Sequence, residues 1–198
     1  MPTLVVPFRG AEGKSRLGPV ASAGRAALAR AMLADVAAAC SDVGQTYVVA
    51  PSGEVVAGVT LVAEGPRRGQ GAAVETGLTA AIAAGAATPV VVVNADLPCV
   101  APRDLLALAG AVPAGGLAIA PAADGTTNAL ALAAPELFAP LYGPGSAARF
   151  AVLGPSRLLE LPNLMDDVDT AADLERLEMR LGPHTRRVLA CLRAGAAA

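Results

Sequence analysis

The stretch Val90-Val91-Val92-Val93-Asn94-Ala95-Asp96-Leu97-Pro98 decides how this chain folds. Consecutive β-branched residues make a short, uninterrupted apolar run, the pattern of a strand buried on both faces of a parallel sheet. Pro98 cannot donate to a strand ladder, so the strand ends before it and Asp96 falls just past its carboxyl end. Open α/β sheets bind their ligands at that edge. A carboxylate there can hold a divalent metal over substrate phosphates, because Mg2+ takes one or two carboxylates plus phosphate and water oxygens. A solvated turn aspartate is the other reading the segment allows.

Outward from this strand, the chain alternates. Thr3 to Pro7 reads as a first strand, Arg25 to Cys40 as a helix with Leu28, Met32, Leu33 and Val36 at helical spacing, Gln45 to Ala50 as a second strand and Val59 to Ala63 as a short third. A helix follows through about Ala84, another spans Pro102 to Ala111, and Leu117 to Pro121 is again a strand. Leu158 to Leu161 is a further strand, and Ala171 to Leu181 a helix. Strands alternating with helices imply a largely parallel sheet with right-handed crossovers, the expectation being a three-layer α/β/α sandwich with a Rossmann-like sheet. At 198 residues the chain fits one domain, 1–198, with 183–198 a basic helix that frays into Ala and Gly.

Composition narrows the function. Apolar residues make up 54% of the chain and aromatics 3%, with no Trp, so the core is built from Ala, Val and Leu. A formal net charge of -2 gives no general attraction to nucleic acid or an anionic membrane, and any phosphate binding must be local. No run reaches the roughly 20 apolar residues that span a bilayer, so a soluble, cytoplasmic protein is expected. Cys40, Cys99 and Cys191 are odd in number and widely spaced, which suits neither a disulfide framework nor a zinc site. Cys99 has no histidine near it in sequence, the single His184 lying far along the chain, so a thiol nucleophile is disfavoured.

Phosphate binding has two candidate loops. Phe8-Arg9-Gly10-Ala11-Glu12-Gly13-Lys14-Ser15-Arg16-Leu17 leaves the first strand with two glycines and three cations, an outline that lets backbone N–H groups and charge approach an anion. It is not a Walker A loop, whose first glycine would stand where Phe8 does. Glu64-Gly65-Pro66-Arg67-Arg68-Gly69-Gln70-Gly71 is the second, with Gln70 able to offer an amide to a base edge. Further on, Ala123-Asp124-Gly125-Thr126-Thr127-Asn128 is a polar turn whose hydroxyls can line an anion pocket. In Gly143-Pro144-Gly145-Ser146-Ala147-Ala148-Arg149-Phe150, Ser146 is placed to cap a helix whose first N–H groups would meet a carboxylate or phosphate, with Arg149 one turn in. In Asp166-Asp167-Val168-Asp169-Thr170, an extended backbone puts Asp167 and Asp169 on one face, where they could complete a metal site begun by Asp96. One of these residues can instead cap the helix beginning at Ala171.

Taken in order, Val5-Val6-Pro7, Lys14-Ser15-Arg16-Leu17, Asn94-Ala95-Asp96-Leu97-Pro98, Thr126-Thr127-Asn128-Ala129-Leu130, Gly143-Pro144-Gly145-Ser146-Ala147-Ala148-Arg149 and Asp167-Val168-Asp169-Thr170 resemble the 2-phospho-L-lactate or phosphoenolpyruvate guanylyltransferase family. That family is related to the molybdenum-cofactor guanylyltransferases and has the nucleotide-diphospho-sugar transferase type of fold. The resemblance implies transfer of GMP from GTP to the phosphate of a small phosphorylated carboxylic acid with release of pyrophosphate, in biosynthesis of coenzyme F-420, phosphoenolpyruvate being favoured over 2-phospho-L-lactate. It implies catalytic roles for Lys14, Arg16 and Asp96, and GTP contacts from Arg9, Gly13, Lys14, Gln70, Gly71 and Asn94. It also implies acid contacts from Thr127, Gly143, Ser146 and Arg149, Mg2+ on Asp96, Asp167 and Asp169, and a product passed to a downstream transferase. Arg9 stands where the family suggests Lys, Phe150 where it suggests His, and Ala72-Ala73 where it suggests Leu-Asn. Other nucleotidyltransferases, such as a molybdopterin guanylyltransferase or a CTP-dependent sugar or polyol phosphate transferase, and a non-catalytic nucleotide-binding module are the alternatives.

Overall fold

The structure is a computed structural model that describes residues 1–10, 17, 22–65 and 69–196. Its strands are β1 (Thr3–Pro7), β2 (Gln45–Ala50), β3 (Thr60–Ala63), β4 (Val90–Val93), β5 (Leu117–Pro121), β6 (Thr127–Leu132) and β7 (Ser156–Leu158). Its helices are α1 (Ser22–Ser41), α2 (Gln70–Ala83), α3 (Pro102–Gly110), α4 (Ser146–Ala151), α5 (Pro162–Met165), α6 (Ala171–Arg176) and α7 (Pro183–Ala196).

The strands form one sheet in the order β3-β2-β1-β4-β6-β5-β7. From β1 the chain steps through β2 to β3 on one side, then returns through α2 to place β4 on the other side, every pairing among these strands being parallel. The order therefore reverses between β1 and β4, and their carboxyl ends open the crevice where such sheets bind ligands. Only β6 runs against its neighbours, pairing antiparallel with β4 and β5, while β7 is parallel to β5. The expected mostly parallel three-layer sandwich is what forms.

The four valines of β4 show why. Val91 and Val93 pack with Leu28, Met32 and Val36 of α1 and Leu105 and Leu108 of α3. Val90 and Val92 pack on the opposite face with Val74 and Leu78 of α2 and Phe150 of α4. None is more than 1% exposed, and burying each is worth roughly 1.5 kcal/mol or more.

Several boundaries differ from the sequence reading, α1 for one beginning at Ser22 rather than Arg25. The last strand is Ser156–Leu158 rather than 158–161, because Ser156 to Leu158 pair with Leu117 to Ile119 and Pro162 then starts α5. The helix from Ala171 ends at Arg176, where Leu177 closes it by donating to the Asp173 carbonyl. The tail forms α7 from Pro183 to Ala196, and at its start the buried Asp35 carboxylate of α1 accepts from His184 N and Thr185 N, each at 2.9 Å. Those bonds satisfy donors that a helix start leaves open. Gly182 N also donates to Pro98 O at 2.7 Å, tying the start of α7 to the loop that carries Asp96. Among the described residues no helix is long and apolar enough to cross a membrane.

Candidate functional site

Asp96 lies three residues past the end of β4, and Asp167 and Asp169 reach it from the segment between α5 and α6. One carboxylate oxygen from each lies within 4.8 Å of the other two. The backbone sets this arrangement. Val168 is 0% exposed, and its N–H donates to Asp96 O at 3.0 Å, so the residues on either side of it turn to the same edge as Asp96. Neither Asp167 nor Asp169 caps α6. Thr170 does so, its hydroxyl accepting from Asp173 N while the Asp173 carboxylate accepts from Thr170 N.

Burial, and next to it the charge of Asp96, pushes the Asp167 carboxyl above the usual carboxylate range, and Asp169 adds to this. Three carboxylates this close repel one another unless a proton or a cation sits among them. Their oxygens are the hard, anionic donors that Mg2+ or Mn2+ prefers. The donor set thus fits a divalent cation at the edge of the sheet where open α/β sheets bind ligands.

A cavity of about 240 Å3 opens beside the trio, lined by Pro7 to Gly10 at the end of β1, Ala29 and Met32 of α1, Gln70, Asn94 to Asp96, and Asp169. A neighbouring cavity of about 520 Å3 lies between the start of α2 and the 140–143 loop, lined by Arg9, Gly69 to Ala72, Glu75, Pro140, Tyr142 and Gly143. Arg9 and Gln70 line both. Gln70 Nε2 donates to Asn94 Oδ1 at 2.6 Å, so these two expected nucleotide residues meet each other. Gly71 packs against Pro140, where a Cβ would stand 2.5 Å from the proline Cβ. Its smallness is used for the closeness of α2 to this loop. Gly13, Lys14 and Arg16, expected to serve the phosphates, lie outside the described residues, as do Arg67 and Arg68.

At the starts of β6 and α4, Thr127 and Ser146 are buried and their hydroxyl oxygens are 2.9 Å apart. Ser146 does not cap α4 as the sequence suggested. It is the first helical residue, and Gly145, at φ 69, is the cap with no side chain to contribute. That frees the Ser146 hydroxyl to join Thr127. Arg149 donates to the carbonyls of Leu141, Tyr142 and Pro144, fastening the loop that carries Gly143. Below the loop, Phe150 stacks edge-on to Tyr142 with ring centroids 5.4 Å apart.

Asn128 was not singled out by the sequence reading, yet its Nδ2 donates to Met165 O at 3.3 Å and to Asp167 at 3.4 Å. The signal available was its place beside Thr127, but nothing in the letters gives its direction. Cys99 is buried and burial pushes its thiol up, which leaves it a poor nucleophile.

The family model described as "Guanylyl transferase CofC like" matches residues 2–179. The phosphoenolpyruvate guanylyltransferase of Streptomyces coelicolor is 37% identical over 204 residues, covering 96% of this chain and 96% of its own. Among solved structures, a candidate nucleotide-diphospho-sugar transferase from Desulfovibrio desulfuricans G20 superposes with a TM-score of 0.74 at 18% identity, covering 98% of this chain and 96% of that one. Rv0371C of Mycobacterium tuberculosis H37Rv, in complex with manganese, superposes at 0.55 with 23% identity, covering 89% and 98%. These structural likenesses establish the fold.

Proposed function

We propose that this chain, which belongs to the CofC-like guanylyl transferase family, transfers the guanylyl group of GTP to the phosphate of phosphoenolpyruvate and releases pyrophosphate. The observation that carries the reading is the convergence of the Asp96, Asp167 and Asp169 carboxylates just past β4, with Asp96 and Asp169 lining the crevice at the ends of β1 and β4. A nucleotide bound in that crevice would bring its phosphates beside the carboxylates, where an acid phosphate would meet them.

In the reaction an acceptor phosphate oxygen forms a bond to the α-phosphorus of GTP, and the bond from that phosphorus to the β-phosphate bridging oxygen breaks. The second pKa of a phosphate monoester is about 6, so the attacking oxygen is already ionised near neutral pH and no general base is required. The aspartates are accordingly metal ligands and not proton acceptors. Mg2+ held by Asp96, Asp167 and Asp169 would neutralise phosphate charge and orient the reacting oxygens. The chain's own groups then position. Thr127 and Ser146 offer hydroxyls and Gly143 a backbone N–H to the acid, while Arg9, Lys14 and Arg16 offer charge to the triphosphate. The product, a guanylylated acid, is an activated group suited to transfer by a downstream enzyme of coenzyme F-420 biosynthesis.

The test is pyrophosphate release with Mg2+, crossing GTP and CTP with phosphoenolpyruvate, 2-phospho-L-lactate and 3-phosphoglycerate. GTP with phosphoenolpyruvate is the expected pair, and turnover with CTP but not GTP overturns the guanylyl assignment. Asp96→Asn should cost several kcal/mol of transition-state stabilisation, about 10²-fold or more in turnover.

A further inference from the structure

A chain of side-chain amides runs beneath the site, and its polarity is fixed. Asn94 Nδ2 donates to Thr127 O at 3.2 Å, and Asn128 Nδ2 donates to Met165 O at 3.3 Å. Backbone carbonyls can only accept, so neither amide can be turned over without facing oxygen to oxygen. The remaining oxygens must then accept. Asn128 Oδ1 takes a bond from Asn94 Nδ2 at 3.4 Å, and Asn94 Oδ1 takes one from Gln70 Nε2 at 2.6 Å. At the other end Asn128 Nδ2 also reaches Asp167 Oδ1 at 3.4 Å. Every donor points toward Asp167, and Gln70, at the start of α2, is the residue whose orientation is set last.

The fold makes a special provision for Asn128. In a regular strand it would share a face with Leu130 and Leu132, which pack with α2 and α4. The pairing of β5 with β6 shifts register between Ala120 and Pro121, so that Ala120 faces Ala129 and Pro121 faces Thr127, with Asn128 the extra residue. Such bulges re-aim a side chain. Here Thr127 turns to Ser146 and Asn128 turns to the opposite side, where Met165 and Asp167 lie. Asn128 is 3% exposed.

We propose that Asn128 is a positioning residue for the metal ligand Asp167, while Asn94, held by the Thr127 carbonyl, fixes Gln70 with its nitrogen turned inward and its carbonyl left for the nucleotide. The inference rests on the carboxylate trio being a metal site, as proposed above. It makes an asymmetric prediction, because Asn94 and Asn128 keep their own carbonyl partners when Gln70 is lost.

The experiment measures Mn2+ binding by electron paramagnetic resonance without nucleotide, and binding of an N-methylanthraniloyl derivative of GTP by fluorescence with Mg2+ present. The chains compared are the unaltered protein, Asn128→Leu, Gln70→Leu and Asn163→Ala, with thermal melting of each in chelator. Asn163, on the same short helix as Met165, donates to Asp104 at 2.9 Å and not to a member of the trio, and controls for the loss of a half-buried amide next to the segment that carries Asp167. Loss of a residue that orients a metal ligand costs 10 to 100-fold in affinity, so Asn128→Leu should weaken Mn2+ by about tenfold or more. It should weaken the nucleotide as well. Gln70→Leu should weaken the nucleotide alone, and Asn163→Ala neither. Unchanged Mn2+ binding in Asn128→Leu overturns the proposal, as does an equal loss in Asn163→Ala. Failure of the unaltered chain to bind Mn2+ overturns the metal reading beneath it, whichever acid or nucleotide the enzyme turns over.

Discussion

Gly71→Ala tests whether the two sides of the site are held at a set distance by packing. A methyl at position 71 would stand 2.5 Å from Pro140 Cβ and 3.0 Å from its Cα. Carbon atoms in contact sit at about 3.5 to 4.0 Å, so α2 and the 140–143 loop must separate by roughly 1 Å. Overpacking of this kind costs about 1–3 kcal/mol, offset by the roughly 0.5–1 kcal/mol that alanine gains over glycine in a helix. The net loss, centred on about 1 kcal/mol, should lower Tm by roughly 2–4 °C for a chain of this length. The larger effect is expected in catalysis. The loop carries Gly143, one of the groups proposed to hold the acid, and a misplacement of about 1 Å can cost up to 10²-fold. We expect KM for phosphoenolpyruvate to rise and kcat/KM for it to fall by about 10 to 100-fold. Steady-state pyrophosphate release with each substrate varied in turn reads this directly, alongside thermal melting. Removing the opposing methylene in the double variant Gly71→Ala, Pro140→Gly should restore part of both losses. The reasoning is refuted if Gly71→Ala melts and binds the acid as the unaltered chain does, or if the double variant recovers nothing.

Three further perturbations address the scaffold. Asp35→Ala removes the acceptor for His184 N and Thr185 N, which should cost about 2 kcal/mol and speed hydrogen exchange in α7; unchanged exchange there would refute the anchoring role. Burial alone would raise the Asp166 carboxyl, but hydrogen bonds from Arg180 and Arg176, with their charges, outweigh it and hold it below the usual range. A lowered folded value means this stability is present above the unfolded value, about 3.9, and is lost as pH falls through the folded one. Asp166→Asn should therefore cost up to about 1 kcal/mol at pH 7 and progressively less in acid, and a deficit in denaturant unfolding that persists unchanged at pH 2 would contradict this. Gly110→Ala, where a Cβ meets nothing within 4 Å, should raise stability by about 0.4–1 kcal/mol in the same assay, and a loss would show that the end of α3 needs glycine.

What the sequence made legible depended on periodicity over short range. Val90 to Val93 read as a doubly buried strand because two packed faces demand four apolar residues in a row. Asp167 and Asp169 read as partners because an extended Asp-Val-Asp has only one face for both carboxylates when Val168 is buried. Where the regular period breaks, the reading stops. Asn128 sits at a bulge set by the pairing of β5 with β6, which no count along β6 alone contains. Ser146 looked like a cap because serine favours that position, whereas the left-handed Gly145 took it and moved the serine one residue inward. The tail looked unanchored because its cap, Asp35, comes from a helix at the other end of the chain. The readings at Gly13, Lys14 and Arg16 lie outside the described residues.

The reversed strand β6 has a consequence for how such a site can change. Every other strand reaches the ligand edge as it leaves the sheet, whereas β6 reaches it on entering, so the turn at 123–126 delivers Thr127 and Asn128 to a rim otherwise built from strand exits. Traffic along the rim thus runs both ways. The turn can be lengthened or rewritten without disturbing the lengths of β1 and β4 or the loops that follow them. A descendant with a different acceptor can keep Asp96 and its surroundings fixed while it varies the approach to one strand.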